Sequence, residues 1–164
     1  MSKVAIVYAS AGGATEEAAY KMKELIEGAA IYDIRRIGMS ILAPFDFIIM
    51  GTSSAGYGDL VSYWRPILPE FDKFDFANKK FALFGLGDAY QFGDSFAGGL
   101  GKLYKALEER VEIVGSTSTE GYSYEASDAE IDGRFVGLVL DHANEPLLTS
   151  ERIEKWIEEL RPYF

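Results

Sequence analysis

The sequence predicts an α/β fold built around a parallel sheet, and three observations carry that prediction. Short apolar runs alternate with helix-length amphipathic segments along the chain, the pattern of repeated βαβ units. The first run, Lys3-Val4-Ala5-Ile6-Val7-Tyr8, is β-branched and continuous, as a strand covered on both faces must be. It feeds through Ala9-Ser10-Ala11-Gly12-Gly13-Ala14-Thr15 straight into a helical pattern, which brings the free amides of a helix start to the edge of a sheet.

Strands are expected at Lys3–Tyr8, Ala30–Asp33, Phe47–Gly51 and Lys80–Gly85, with a fifth split between Glu112–Gly115 and Phe135–Leu140; helices are expected between them. The first helix, Thr15 to Glu27, turns Ala18, Met22, Leu25 and Ile26 to one side. This stripe and Trp64 are assigned to the core, because apolar residues at helical spacing face the sheet. Gly98, Gly99 and Gly101 weaken the start of a helix running to Glu109, each by about 1 kcal/mol relative to Ala, and close packing is the expected reason for them. Gly115 to Arg134 is polar and turn-rich and interrupts the fifth strand as an insertion. The last helix, Ser150–Leu160, spaces Ile153, Trp156, Ile157 and Leu160 as one buried stripe, with Thr149 or Ser150 as its cap.

At 164 residues, 48% of them hydrophobic and 14% aromatic, the chain fits one domain spanning 1–164. The absence of cysteine excludes disulfides, thiol catalysis and Cys-ligated metal clusters within the chain, and one histidine, His142, excludes most triad and multi-His metal mechanisms. Sixteen Lys and Arg against 26 Asp and Glu leave a net charge of −10, which argues against nucleic acid or an anionic membrane as partner and favours a basic protein. Neither a bilayer-length apolar run nor a secretory signal is present, so a cytoplasmic location is expected.

In an open parallel sheet a ligand lies beyond the carboxyl ends of the strands. The loop after the first strand offers helix-start amides with partial positive charge, small residues that let a phosphate approach, and the hydroxyls of Ser10 and Thr15. It is neither a Walker A loop, having no Lys after Gly13, nor Gly-x-Gly-x-x-Gly, and a Gly-Gly turn is by itself equally a plain connection. After the third strand comes Gly51-Thr52-Ser53-Ser54-Ala55-Gly56-Tyr57-Gly58-Asp59, and after the fourth Gly85-Leu86-Gly87-Asp88-Ala89-Tyr90-Gln91-Phe92-Gly93-Asp94. An anion loop beside two glycine-rich loops whose aromatics can cover a planar ring describes a mononucleotide site.

These three loops resemble those of the flavodoxins: Ser10–Thr15 is similar to the family's phosphate loop, Gly56-Tyr57-Gly58-Asp59-Leu60 to the loop against the flavin ring, and Gly85-x-Gly87-Asp88 to the second ring loop. Asp132-Gly133-Arg134-Phe135-Val136-Gly137-Leu138-Val139-Leu140-Asp141, then Leu148-Thr149 and Arg152-Ile153-x-x-Trp156, resembles the carboxyl-terminal pattern of the long-chain class, so the resemblance covers essentially the whole chain. It implies a flavodoxin-like three-layer α/β/α sandwich with a five-stranded parallel sheet in the order 2-1-3-4-5 and an insertion splitting strand 5. It also implies noncovalent FMN and low-potential one-electron transfer, without catalysis of its own. The implied binding residues are Ser10, Ala11, Gly12, Gly13, Ala14, Thr15, Ser53, Ser54, Ala55, Gly56, Tyr57, Gly58, Leu86, Gly87, Asp88, Tyr90, Phe92 and Ser95. The expected partners are basic-surfaced redox proteins, a flavodoxin reductase or oxidoreductase donors and acceptors, meeting a monomer through Glu16, Glu17, Asp59 and Asp94.

Several positions depart from the family pattern. Gly12 stands where a third hydroxyl residue is usual, and Ala55 where many members stack a Trp on the inner face of the ring, so a small gap is expected there. Phe92 aligns with the usual outer-face Tyr, with Tyr90 as the competing assignment. His142 and Ala143 replace acidic residues, and His142 is expected as an exposed loop residue. Gly56 is expected to supply the positive-φ freedom that lets its peptide turn over on reduction. None of the three loops holds Lys or Arg, so added negative charge on the flavin lacks a cationic partner, which lowers the second one-electron potential. A phospho-receiver on this fold needs acids where the first and third strands end in Tyr8-Ala9-Ser10 and Gly51-Thr52-Ser53. The alternatives left open are an FMN-dependent quinone reductase and an FMN-free binding module.

Overall fold

The apolar runs become strands because each is covered on both faces. In the computed structural model, which describes residues 3–164, these are β1 (Val4–Ala9), β2 (Ala30–Asp33), β3 (Phe47–Thr52), the short antiparallel pair β4 (Ser54–Ala55) and β5 (Asp59–Leu60), and β6 (Lys80–Leu86). β1 and β3 are buried along their whole length. The parallel order is β2-β1-β3-β6, as expected.

The fifth position is filled twice. β7 (Glu112–Val114) pairs with Lys80–Ala82 of β6, and β11 (Leu138–Leu140) pairs with Phe84–Leu86, leaving Leu83 between them. The chain leaves at Gly115, in the left-handed region at φ +91°, and returns at Gly137, where a Cβ would run into the carbonyl oxygen of Leu83. The expected strand Phe135–Leu140 is therefore broken at Gly137. Phe135 belongs instead to the insertion, where β8 (Thr117–Ser118), β9 (Glu130–Ile131) and β10 (Arg134–Phe135) form a small antiparallel sheet in the order β8-β10-β9. Phe135 is fully buried beside Tyr122 and Phe96, with ring centroids 5.0 and 6.3 Å away. The polar, turn-rich segment thus carries its own aromatic anchor onto the core.

α1 (Ala14–Leu25) and α3 (Thr149–Leu160) cover one face of the sheet, with Met22, Ile153, Trp156 and Leu160 buried against Ile6, Ile49 and Phe84. α2 (Gly98–Leu107) covers the other, with Leu100, Leu103 and Trp64 among the core residues there. The helices expected after the second and third strands are reduced to 3₁₀ turns at Ile34–Arg36, Met39–Leu42, Ser62–Trp64 and Leu68–Asp72. Pro44, Pro66 and Pro69 explain this, since each lacks the backbone N–H that an α-helix would bond four residues back. Leu42, Trp64, Ile67 and Phe71 still fill the layer. Neither Thr149 nor Ser150 caps α3: the Thr149 hydroxyl meets His142 Nδ1 at 2.9 Å, and Ser150 accepts a hydrogen bond from Lys21.

The glycines of α2 answer to close packing. A Cβ on Gly98 would stand 2.5 Å from the Gly58 carbonyl oxygen, one on Gly99 2.7 Å from that of Ser53, and one on Gly101 would overlap the Asp128 backbone. The start of α2 is thereby pressed against the second loop at the carboxyl edge of the sheet.

Candidate functional site

The three loops meet over the ends of β1, β3 and β6 around a cleft of about 470 Å³, within the usual size range for small-molecule pockets. Its walls are Ala11, Gly12 and Ala14 from the first loop, Ser53, Ser54, Ala55, Gly56 and Gly58 from the second, and Leu86, Gly87, Asp88, Phe92 and Ser95 from the third. Ala97, His142 and Ala143 complete it. Of the expected site residues, Ser10, Gly13, Thr15, Tyr57 and Tyr90 do not line it.

Ser10 and Thr15 are drawn inward by their own hydrogen bonds. Ser10 Oγ accepts from the Gly13 N–H at 3.0 Å. Thr15 is fully buried, and its hydroxyl shares a 2.6 Å hydrogen bond with Ser53 Oγ, which also accepts from the Ala11 N–H at 3.1 Å. Both hydroxyls are thereby tied into the loop, Ser10 Oγ as an acceptor and Thr15 Oγ1 against Ser53. Ser53 ties the first loop to the second, a role visible only once strands β1 and β3 are neighbours. Gly13, at φ +95°, turns the chain into α1, whose first internal bond runs from the Glu17 N–H to the Gly13 carbonyl. The amides of that first turn have no acceptor within the helix and carry the positive end of its dipole.

In the second loop the positive φ values fall on Tyr57 (+61°) and Gly58 (+79°), at the tip of the turn. The chain reverses there because Gly58 must lie flat against Gly98; Tyr57 is left at the tip, 85% exposed. Asp59 is not without a cation: Lys102 of α2 stands 3.8 Å away and also bonds Asp128 at 3.1 Å. Absence of cations from the loops themselves does not extend to their surroundings.

Asp88 organises the third loop. Its Oδ1 accepts from the N–H groups of Gln91 at 3.0 Å and Tyr90 at 3.1 Å, and from Asn144 Nδ2 at 2.9 Å. The Gln91 amide first, then Asn144, hold its carboxyl below the usual carboxylate range. The resulting curl turns Phe92 to the cleft at 41% exposure and throws Tyr90 outward at 88%. The insertion props this loop from behind, donating the Glu125 and Ala126 N–H groups to the Gly93 carbonyl. Ser95 Oγ is buried in the cleft wall without a hydrogen-bond partner among the described residues.

His142 is half-buried at the cleft edge rather than exposed, because its bond to the buried Thr149 holds it there. Glu17, Asp59 and Asp94 are exposed, and Glu16 partly so. Among the described residues no helix is long and apolar enough to cross a membrane, and no cluster of His, Asp and Glu suits a metal ion.

The sequence model of the flavodoxin family matches residues 6–156. Flavodoxin 1 of Azotobacter vinelandii is 39% identical over a 171-residue alignment covering all of this chain and 98% of that protein. The flavodoxin of Picosynechococcus is 36% identical, covering 100% and 99%. Among solved structures, that of Fusobacterium nucleatum flavodoxin bound to flavin mononucleotide superposes with a TM-score of 0.92 at 30% identity, covering all of this chain and 99% of that one. With loops, strand order and split fifth strand in agreement, the chain belongs to the flavodoxin family.

Proposed function

We propose that the cleft holds FMN, its phosphate against the Ala11–Thr15 loop and its ring between the Ala55–Gly58 loop and Phe92, and that the chain carries single electrons between redox proteins. The observation that carries this reading is the convergence, in one cleft, of a helix-start amide loop and two loops that frame a flat, largely apolar slot. The residues fit the group in detail. A Cβ at Gly12 or Gly56 would meet nothing within 4 Å, so both loops leave room for a ligand, and the unpartnered Ser95 Oγ offers a hydrogen bond inside the wall.

Bound FMN supplies the one-electron chemistry; the protein binds it, orients it and sets its electrostatics. The amides of α1's first turn face the anion, and Ser53 keeps them in place through Ala11 and Thr15. Phe92 covers one side of the slot, whereas Ala55 leaves the other short of an aromatic partner worth about 0.5–1.5 kcal/mol beyond its area. The ionised Asp88 lines the cleft with no cation bonded to it among the described residues, so electron density added there is disfavoured and the potential is low. Lys102 partly offsets Asp59. Basic donor and acceptor proteins meet the chain at the acidic rim of the cleft, and this steering weakens with salt.

Reconstitution of purified monomeric chain with FMN tests the reading. One tightly held FMN per chain, reduced in two separate one-electron steps with the second below that of free FMN, and no unaided oxidation of NADPH, is the expected result. Rapid NADPH consumption with a quinone establishes the reductase instead, and a chain that ignores FMN is a binding module.

A further inference from the structure

We propose that His142 is the charged contact at the phosphate end of the cleft, making the hold on a phosphorylated ligand dependent on imidazole protonation; this rests on the reading that the cleft takes FMN. Among the described residues it is the one cleft-lining residue whose side chain can carry positive charge. Its ring stands between the cleft and a second groove along α1, and both hollows are walled by Gly12 and Ala14, so it sits beside the anion loop from which every Lys and Arg is missing. The open space over Gly12, where no hydroxyl is available, lies on the same edge.

The ring is anchored for such a contact. Nδ1 bonds the hydroxyl of Thr149, itself buried at the start of α3, at 2.9 Å, which leaves Nε2 as the nitrogen without a protein partner among the described residues. When both nitrogens carry protons, Nδ1–H donates to Thr149 Oγ1 and Nε2–H is a charged donor. The surrounding charges suit an imidazolium. From α1, Glu16, Glu17, Lys21 and Glu24 line the shared groove, and Lys21 is turned to Ser150 of α3. From its own loop, the buried Asp141 bonds Asn144, and Glu145 is paired with Arg152 at 3.1 Å. Asp88 lines the cleft as well. Imidazole changes charge between pH 5 and 8, and a charge-assisted hydrogen bond to phosphate is roughly twice as strong as a neutral one. FMN affinity then has a component lost as pH rises through that range, and a flavin without phosphate lacks it.

Flavin-fluorescence titration of the apoprotein with FMN and with riboflavin, at pH 5.5 and 8.5, tests this in the unsubstituted chain, His142→Gln and His142→Lys. The FMN dissociation constant at pH 8.5 relative to pH 5.5 is expected to be about five- to tenfold larger in the unsubstituted chain than in His142→Gln. The riboflavin ratio is expected to be the same in both, and His142→Lys, whose cation persists at pH 8.5, is expected to show the same FMN ratio as His142→Gln and, at pH 8.5, to bind FMN more tightly than the unsubstituted chain. Comparison with His142→Gln cancels the phosphate's own ionisation. Should His142→Gln fail to fold by circular dichroism, the Lys variant and the riboflavin arm decide. FMN binding with coincident pH profiles, or an equal shift with riboflavin, overturns the role of His142 alone; no FMN binding at any pH overturns the FMN reading together with it.

Discussion

Replacing Gly98 by Ala sets two effects against each other at one position. Helix propensity favours the change by up to about 1 kcal/mol, since Gly is the poorest ordinary helix former. Packing opposes it: the added Cβ would lie 2.5, 2.6 and 2.9 Å from the oxygen, Cα and carbonyl carbon of Gly58, all backbone atoms that no rotamer change moves aside. Overpacking of this kind costs about 1–3 kcal/mol, and because Gly98 opens α2, little of the propensity gain is realised there. The net is a loss of about 1–2 kcal/mol, or roughly 2–8 °C in Tm for a chain of this size. The strain is relieved by lifting Gly58 off α2, which displaces the second loop and weakens FMN binding. Differential scanning calorimetry of the apoprotein and flavin titration measure the two consequences, with Gly12→Ala, whose Cβ meets nothing within 4 Å, as a control expected to leave Tm unchanged. A Gly98→Ala variant with Tm equal to or above that of the unsubstituted chain would refute the packing argument.

Ser53→Ala removes the link between the first two loops and strands the fully buried Thr15 hydroxyl; a loss of about 1–3 kcal/mol is expected on thermal unfolding, with slower, looser FMN binding in the same preparation. Asp88→Asn tests the third loop through pH. Because the folded carboxyl titrates below its ordinary value, its contribution is present above that value and lost as pH falls through the lowered one, so Tm should drop from about pH 4 downward. That acid limb should be shallower in Asp88→Asn, and identical limbs would show that Asp88 does not organise the loop.

How much of this protein was legible in the sequence follows from the range over which each feature is decided. Continuous apolar runs and a 3.6-residue stripe are local properties of the chain, so the strands and the buried face of α3 at Ile153, Trp156, Ile157 and Leu160 could be expected without coordinates; the strand order came from the resemblance to the flavodoxins. The prolines at 44, 66 and 69 were equally visible, yet the apolar content around them masked their effect, and helices were expected where 3₁₀ turns form. The three loops were legible as a mononucleotide site because strand ends in a parallel sheet are brought together by topology alone.

Direction and partnership were not legible. Which hydroxyl faces a ligand depends on what lies across from it: Ser10 and Thr15 turn inward because Gly13 and Ser53 are within reach. Phe92 and Tyr90, two residues apart, are separated into cleft and solvent by the curl that Asp88 imposes with Asn144 from the far end of the chain. Lys102 reaches Asp59, and His142 the first loop, only because α2 and the turn after β11 pack where they do. Sequence by itself determined the strands and the class of ligand suited to their carboxyl ends, because burial patterns repeat along a strand or helix, and its family motifs implied the strand order. Tertiary structure alone decided the orientation of each polar side chain, because a hydrogen bond or an ion pair is made by residues that the folded chain, not the sequence, makes neighbours.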